Sequence, residues 1–260
     1  MTAGVSGTSD VATLVMAGHG ARDGQWSAVL ADLAGRVRRM RPGRRVRLSF
    51  LELSTPPLAD VLAATVGPVV VVPMLLAGGY HAHVDLPAVV ARVRPDARVA
   101  GPLGPHPLLT SVLARRLAQA GLRPGDAVVL GAAGSSDPAA LDDVRAAARL
   151  LSVRLSRPVT AAFAAGGTPT LADALTRARS APRVAVASYL LAPGHFHNRL
   201  AESSADLVAA PLGADDDLAA LVWARFDEAA GTQPSSRSSR TMSSALSSRD
   251  GSESAPVNIS

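Results

Sequence analysis

The sequence predicts an α/β protein of two tandem units, each a four-stranded parallel sheet flanked by helices, related by internal duplication. Three observations point there. Short apolar runs alternate with amphipathic stretches as far as residue 231, the pattern of repeated βαβ units. Glycine and proline punctuate the boundaries between them. Words of the first half then recur in the second half in the same order.

Thr13 to Ala17, Val46 to Leu51 and Val69 to Leu76 read as buried strands, the first and third as nearly continuous apolar runs and the second with Arg47 and Ser49 among its apolar residues. Between them, 25–40 and 57–64 read as helices. Arg98 to Ala100 is a weaker fourth strand, followed by a helix over 107–120. A turn containing Gly121, Pro124 and Gly125 leads to Ala127 to Leu130, where the series restarts. Phe50 falls on Phe163 and Leu58-Ala59-Asp60 on Leu171-Ala172-Asp173, each 113 positions later. Leu75-Leu76-Ala77 falls on Leu190-Leu191-Ala192 at 115, and Pro102-Leu103-Gly104 on Pro211-Leu212-Gly213 at 109. The expected division is a disordered start over 1–10, a first unit over 11–122 and a second over 123–231. A Ser/Arg-rich tail over 232–260, which lacks apolar periodicity, is expected to be disordered. The two units would face one another, or form one pseudo-twofold body, with a ligand cleft beyond the carboxyl ends of the strands.

Composition narrows the chemistry. At 48% hydrophobic and 18% charged residues, the chain has the makeup of a globular protein with a sizeable core. It has no cysteine, which excludes disulfides, thiolate metal sites and thiol nucleophiles, so any metal must meet nitrogen and oxygen. The apolar run from Val69 is far shorter than the roughly 20 residues that span a bilayer, and the first ten residues lack the pattern of a secretory signal. A cytoplasmic protein with no membrane partner is expected. The net charge of +5 comes from arginine alone, with Arg36, Arg38, Arg39, Arg41, Arg44, Arg45 and Arg47 as the densest cluster. That cluster straddles a helix end and the Pro42-Gly43 turn, and aromatic residues are only 3%. Without stacking platforms, a solvated basic face or a surface for a polyanionic small molecule fits better than nucleic acid.

Candidate reactive groups collect after the strands. His19 lies in Gly18-His19-Gly20-Ala21-Arg22-Asp23 beyond the first strand, and His81 and His83 lie in a glycine-containing loop, 78–87, beyond the third. Glu52 ends the second strand where the apolar run would otherwise continue. Flanking glycines let backbone approach a ligand closely. Two imidazoles and a carboxylate suit a borderline divalent ion such as iron(II) or cobalt(II), and they also accept protons near neutral pH. His106, in Gly104-Pro105-His106-Pro107, reads as a structural helix start. Gly18-His19-Gly20 opens like a dinucleotide fingerprint, but the third glycine would fall on Asp23, and a phosphate loop of the Walker kind needs a lysine the chain lacks.

Taken in order, Gly18-His19-Gly20-Ala21-Arg22-Asp23, Phe50-Leu51-Glu52 with Pro56-Pro57-Leu58, and Val72-Pro73 through Gly79-Tyr80-His81 to Asp85-Leu86-Pro87 resemble the sirohydrochlorin chelatases. These are the class II ferro- and cobaltochelatases of siroheme and cobalamin synthesis, and the chain looks like their long two-unit form. The resemblance covers about residues 12 to 230. It implies a lyase inserting a divalent metal into sirohydrochlorin without ATP or a cofactor beyond the substrate metal ion, with iron(II) and siroheme preferred. Cobalt insertion, or a non-catalytic tetrapyrrole or metal carrier, are the alternatives, and the oligomer would be a monomer or homodimer. His19, His81 and Glu52 match the family's catalytic and metal-contacting residues. Arg22, Gly20, Gly79, Tyr80 and Arg199 would contact the polyanionic tetrapyrrole. In the second unit Ala133, Ala165 and Phe196 fall where His19, Glu52 and His81 stand, although His195 and His197 flank Phe196.

Overall fold

The computed structural model describes residues 11–21 and 24–231, and of His81 the backbone alone. The first unit runs β1 (Thr13–Gly18), α1 (Gly24–Met40), β2 (Val46–Phe50), α2 (Leu58–Ala63), β3 (Val69–Pro73), a π-helical turn (His81–Asp85), α3 (Leu86–Val93), β4 (Arg98–Val99) and α4 (Pro107–Ala120). The second repeats it as β5 (Ala127–Ala132), α5 (Pro138–Leu155), β6 (Val159–Phe163), α6 (Leu171–Ala178), β7 (Val184–Ser188), α7 (His195–Ala201), β8 (Leu207–Val208) and α8 (Asp216–Ala230). Each unit forms a four-stranded parallel sheet, in the orders β2-β1-β3-β4 and β6-β5-β7-β8.

Strand pairing reproduces the duplication residue by residue. Leu14 of β1 faces Val46 and Val70, while Val128 of β5 faces Val159 and Ala185, which places the copies 114, 113 and 115 positions apart. Val70 pairs with Arg98 and Ala185 with Leu207, an offset of 109 for the edge strands. The drifts between repeated sequence words are therefore the lengths of the loops between strands.

The all-apolar strands are buried on both faces, and alternate residues enter different cores. Leu14, Met16, Val70 and Val72 point into one large cluster, and Val15, Ala17, Val69 and Val71 into a small one under α2 and α3. The second sheet divides likewise, with Val128 and Leu130 inward and Val129, Val184 and Val186 outward under α6 and α7. Only the large cluster contains residues of both units, so the two sheets share one core.

The helices between the sheets are exchanged. The last helix of the first unit, α4, packs on β7 and β8, whereas α8 packs on β3, β4 and α1. Each sheet is thus closed by the other unit's final helix. Polar contacts fix the exchange: Trp223 of α8 donates its indole N–H to the carbonyl of Val37 at 3.0 Å, and Arg41 lies 4.5 Å from the same ring centroid. Arg41 also forms two hydrogen bonds to Asp227, at 2.7 and 2.6 Å, a fork geometry that holds its charge firmly. Arg36 pairs with Asp216 at 2.7 Å. Arg36 and Arg41 of the basic cluster thus pair with α8, Arg44 lies 6.0 Å from the ring centroid of its Phe226, and Arg38, Arg45 and Arg47 reach backbone carbonyls.

The structure shortens three strands and adds a helix. The second strand stops at Phe50, the third at Pro73 and the fourth at Val99. His81 and His83 stand in a π-helical turn rather than the loop the sequence suggests. Pro87, in the first turn of α3, has no N–H to continue the α-helical ladder, and the wider turn occupies that break.

His106 is the N-cap of α4, its Nδ1 accepting the Leu108 N–H at 3.1 Å. Burial, helped by the nearby Arg225 and opposed by Glu228, lowers its pKa below the ordinary 6.5. A histidine whose folded pKa is depressed binds fewer protons in the folded state, so folding weakens as pH falls through 6.5 toward that lower value. Protonation would also occupy the capping nitrogen. We expect the denaturation midpoint to drop between pH 7.5 and 5.5 by less in His106→Asn, whose amide oxygen caps without titrating, than in the wild type. Equal slopes in thermal melts across that range would contradict the assignment.

Candidate active site

The parallel strands bring their carboxyl ends to one edge of each sheet, and the predicted residues leave from there. Gly18 closes β1, and the next residues cross to the chain following β2. Leu51 donates to the carbonyl of Gly18 at 2.8 Å, and Glu52 donates to that of His19 at 2.9 Å. Gly20 has φ +101°, and a Cβ there would fall 1.7 Å from the carbonyl oxygen of Glu52. Glycine is required for both reasons. Ser54 ties the loops again, its Oγ accepting from Ala21 N–H at 3.1 Å, donating to the Ala21 carbonyl at 3.0 Å, and lying 3.2 Å from Ser27 Oγ.

His19 is half-buried, with Nδ1 3.1 Å from the carbonyl of Gly20. A carbonyl only accepts, so in this contact Nδ1 is the donor. Glu52 is exposed. Leu53, beside it, has φ 57° and is 56% exposed, and Gly166 occupies its place in the second unit at φ 50°.

A cleft of about 460 Å³ opens between the units, beyond β3 and β5. Gly79, Tyr80, Ala82 and Trp26 form one wall, and Ala133, Gly134, Ser135 and Ser136 the other. This is the position at which open α/β sheets take ligands. Gly79 and Tyr80 line it, and Tyr80 is 60% exposed. His19, Gly20 and Glu52 lie at the ends of the neighbouring strands β1 and β2, outside the lining. Arg199 is exposed in the last turn of α7 and borders a separate cavity of about 310 Å³ with Gly166, Gly167 and Ser203. Arg22 and the side chain of His81 lie outside the described residues. Among the described residues no three His, Asp or Glu side chains converge to hold a metal ion.

The sequence reading missed the residues contributed from across the cleft. Asp143 of α5 accepts the N–H of Gly78 at 2.8 Å, and Tyr189, which follows β7, donates its hydroxyl to the carbonyl of Leu76 at 2.9 Å. Both belong to the unit without the histidine set. The only sequence signal is that Tyr189 falls on Met74 at the 115 offset, an apolar position turned polar.

The second unit keeps the backbone of the site. Ala165 donates to the carbonyl of Ala133 at 2.8 Å, as Glu52 does to that of His19, and Gly134 has φ +102°. The N–H of His83 meets the carbonyl of Gly79 at 3.0 Å, and that of Asn198 meets the carbonyl of Gly194 at 3.0 Å. The 115 offset therefore persists through the turn, setting Phe196 at the place of His81, and His195 and His197 at those of Tyr80 and Ala82. His197 is half-buried, with Nδ1 3.4 Å from Ser188 Oγ, and burial lowers its pKa from 6.5.

Solved structures with this architecture include SirB from Bacillus subtilis with Fe³⁺, at a TM-score of 0.73 and 22% identity over 85% of this chain and 96% of that one. The sirohydrochlorin chelatase SirB from Bacillus subtilis subspecies spizizenii in complex with cobalt matches at TM-score 0.70 and 22% identity, over 85% and 97%. CbiX, described as the terminal enzyme for siroheme biosynthesis in denitrifying bacteria, matches at 0.62 and 23%, over 84% and 99%. At these identities the likeness is one of fold. No curated protein matches in sequence. The CbiX family model, however, matches twice, over residues 13–120 and again over 127–229, once on each structural repeat. The chain belongs to the CbiX family.

Proposed function

We propose that this protein is a sirohydrochlorin chelatase, inserting a divalent metal into the macrocycle in the cleft between the two units, with its reactive groups on the first. The observation that carries the reading is the double match to the CbiX family, one on each repeat, around a single set of His19, Glu52 and His81. Similarity in fold to SirB and CbiX structures, two of them holding iron or cobalt, supports it.

Metallation removes two pyrrole N–H protons while the ion enters the ring. The chain must therefore supply proton acceptors beside the macrocycle and a way for an ion to shed water. The imidazole of His19 is suited to accept a proton or to contact the ion, though not both at once on one nitrogen. His81 shares this work from the turn that borders the cleft. Glu52, exposed just after β2, would in this reading meet a hydrated cation or return protons to solvent. Tyr80 offers an aromatic face to the ring system, and glycines 20 and 79 allow close approach. Arg22, one residue beyond the described segment, and Arg199 are the arginines proposed for the substrate's carboxylates.

Iron(II) is the proposed physiological ion, with cobalt(II) the second reading that the cobalt-bound relative favours. No helix among the described residues is long and apolar enough to cross a membrane, and the proposed setting is the cytoplasm. The test is anaerobic mixing of purified protein with sirohydrochlorin and iron(II) or cobalt(II), followed by absorbance. We expect metallation well above the rate in buffer. A rate equal to buffer with both ions, alongside tight tetrapyrrole binding, would instead make the protein a carrier.

A further inference from the structure

We propose that the second unit, rather than being only a wall of the cleft, positions the histidine-bearing turn of the first through Asp143 and Tyr189. The inference rests on the chelatase reading for its catalytic meaning, but its geometry stands apart from it.

Two side chains of the second unit reach the segment between β3 and the π-helical turn. Asp143 Oδ2 takes the N–H of Gly78 at 2.8 Å, and the Tyr189 hydroxyl gives its proton to the carbonyl of Leu76 at 2.9 Å. These bonds flank Ala77 and hold the chain that becomes the turn at His81. The contact is close: a Cβ on Gly78 would lie 2.6 Å from His83 Nε2 and 3.4 Å from Asp143 Oδ2, and one on Gly104 would lie 2.2 Å from the Tyr189 hydroxyl. Tyr189 is 3% exposed. Burial, with the charge of Asp143 adding to it, raises its pKa, so the hydroxyl remains a donor at any pH the fold tolerates.

Neither bond has a counterpart under the pseudo-twofold relation. The counterpart of Gly78 is Pro193, which has no N–H to donate. The counterpart of Tyr189 is Met74, which has no hydroxyl, and residues 29 and 30, at the place of Asp143 in α1, are valine and leucine. A duplicated protein that needed these bonds only for packing would have use for them on both sides. Here both run from the unit without the histidine set to the unit with it. The second copy has lost His19 and Glu52 equivalents and carries in their stead a carboxylate and a phenol aimed at the first copy's turn.

The experiment compares Asp143→Ala, Asp143→Asn and Tyr189→Phe with wild type, by metallation kinetics and by backbone amide exchange of the full chain. In Asp143→Ala we expect kcat to fall about tenfold, with KM for sirohydrochlorin changed much less, the signature of misplaced reacting groups. Asp143→Asn, whose amide oxygen accepts the same N–H, should recover to within about threefold of wild type. Tyr189→Phe should show a smaller loss than Asp143→Ala. Exchange in peptides covering 78–85 should rise about tenfold in Asp143→Ala and stay near wild type in Asp143→Asn, with strand peptides of both sheets unchanged. Unaltered exchange over 78–85 in Asp143→Ala would overturn the proposal, as would a rise shared by all strands or a kcat equal to wild type. If wild type itself fails to metallate, the chelatase reading falls while the exchange data still decide the positioning claim.

Discussion

Gly20→Ala should cost about 4 kcal/mol of stability and abolish metallation with it. The added methyl would have to occupy a point 1.7 Å from the carbonyl oxygen of Glu52, and the backbone is at φ +101°. Neither neighbour can give way cheaply, because the Glu52 N–H is already bonded to His19 and Ser54 fastens the same two loops. Strain in the left-handed region and the clash each contribute a few kcal/mol by themselves. Gly134→Ala should cost a similar amount, since its Cβ would fall 1.4 Å from the carbonyl of Ala165. That comparison assigns the glycine its first role. The second unit keeps the glycine after losing the histidine, so the crossing of two loops is what requires it. Urea denaturation of both variants measures the costs; a loss under about 1 kcal/mol in either would contradict the described contact.

His19→Ala should lower metallation by a hundredfold or more, the range in which removal of a positioned proton acceptor falls. The substitution leaves the backbone bond from Glu52 to residue 19 intact, so the fold should survive and tetrapyrrole binding should change little. Imidazole added to the buffer should restore part of the rate, because the missing group is a small, mobile base. Rates within twofold of wild type, measured on folded protein, would remove His19 from the site.

Much of this architecture was legible because the strands of a buried parallel sheet are continuous apolar runs, and because duplicated words preserve register. The helix boundaries at 107–120 coincide with the sequence reading, since Gly121 ends that helix in the left-handed conformation, φ 92°. The turn at 81–85 and α3 were hidden by Pro87 and a run of valines, whose weak helix propensity masks a helix that packing against Val15 and Val71 supports. The exchange of α4 and α8 left no local trace, because a helix's apolar stripe does not say which sheet it covers. Among the proposed site residues, the position of His19 and Glu52 just after β1 and β2 was legible in the sequence. Asp143 was not, since one carboxylate on an amphipathic helix looks like any solvated charge until the opposite backbone is seen.

The central claim is that one unit reacts while its copy supports it. Metallation of sirohydrochlorin by His19→Ala, set beside that by a His195→Ala/His197→Ala double variant, tests this most directly. The account predicts a fall of a hundredfold or more in the first and a rate within about twofold of wild type in the second. A double variant as impaired as His19→Ala, with its fold intact, would place essential chemistry on the second unit and contradict the account.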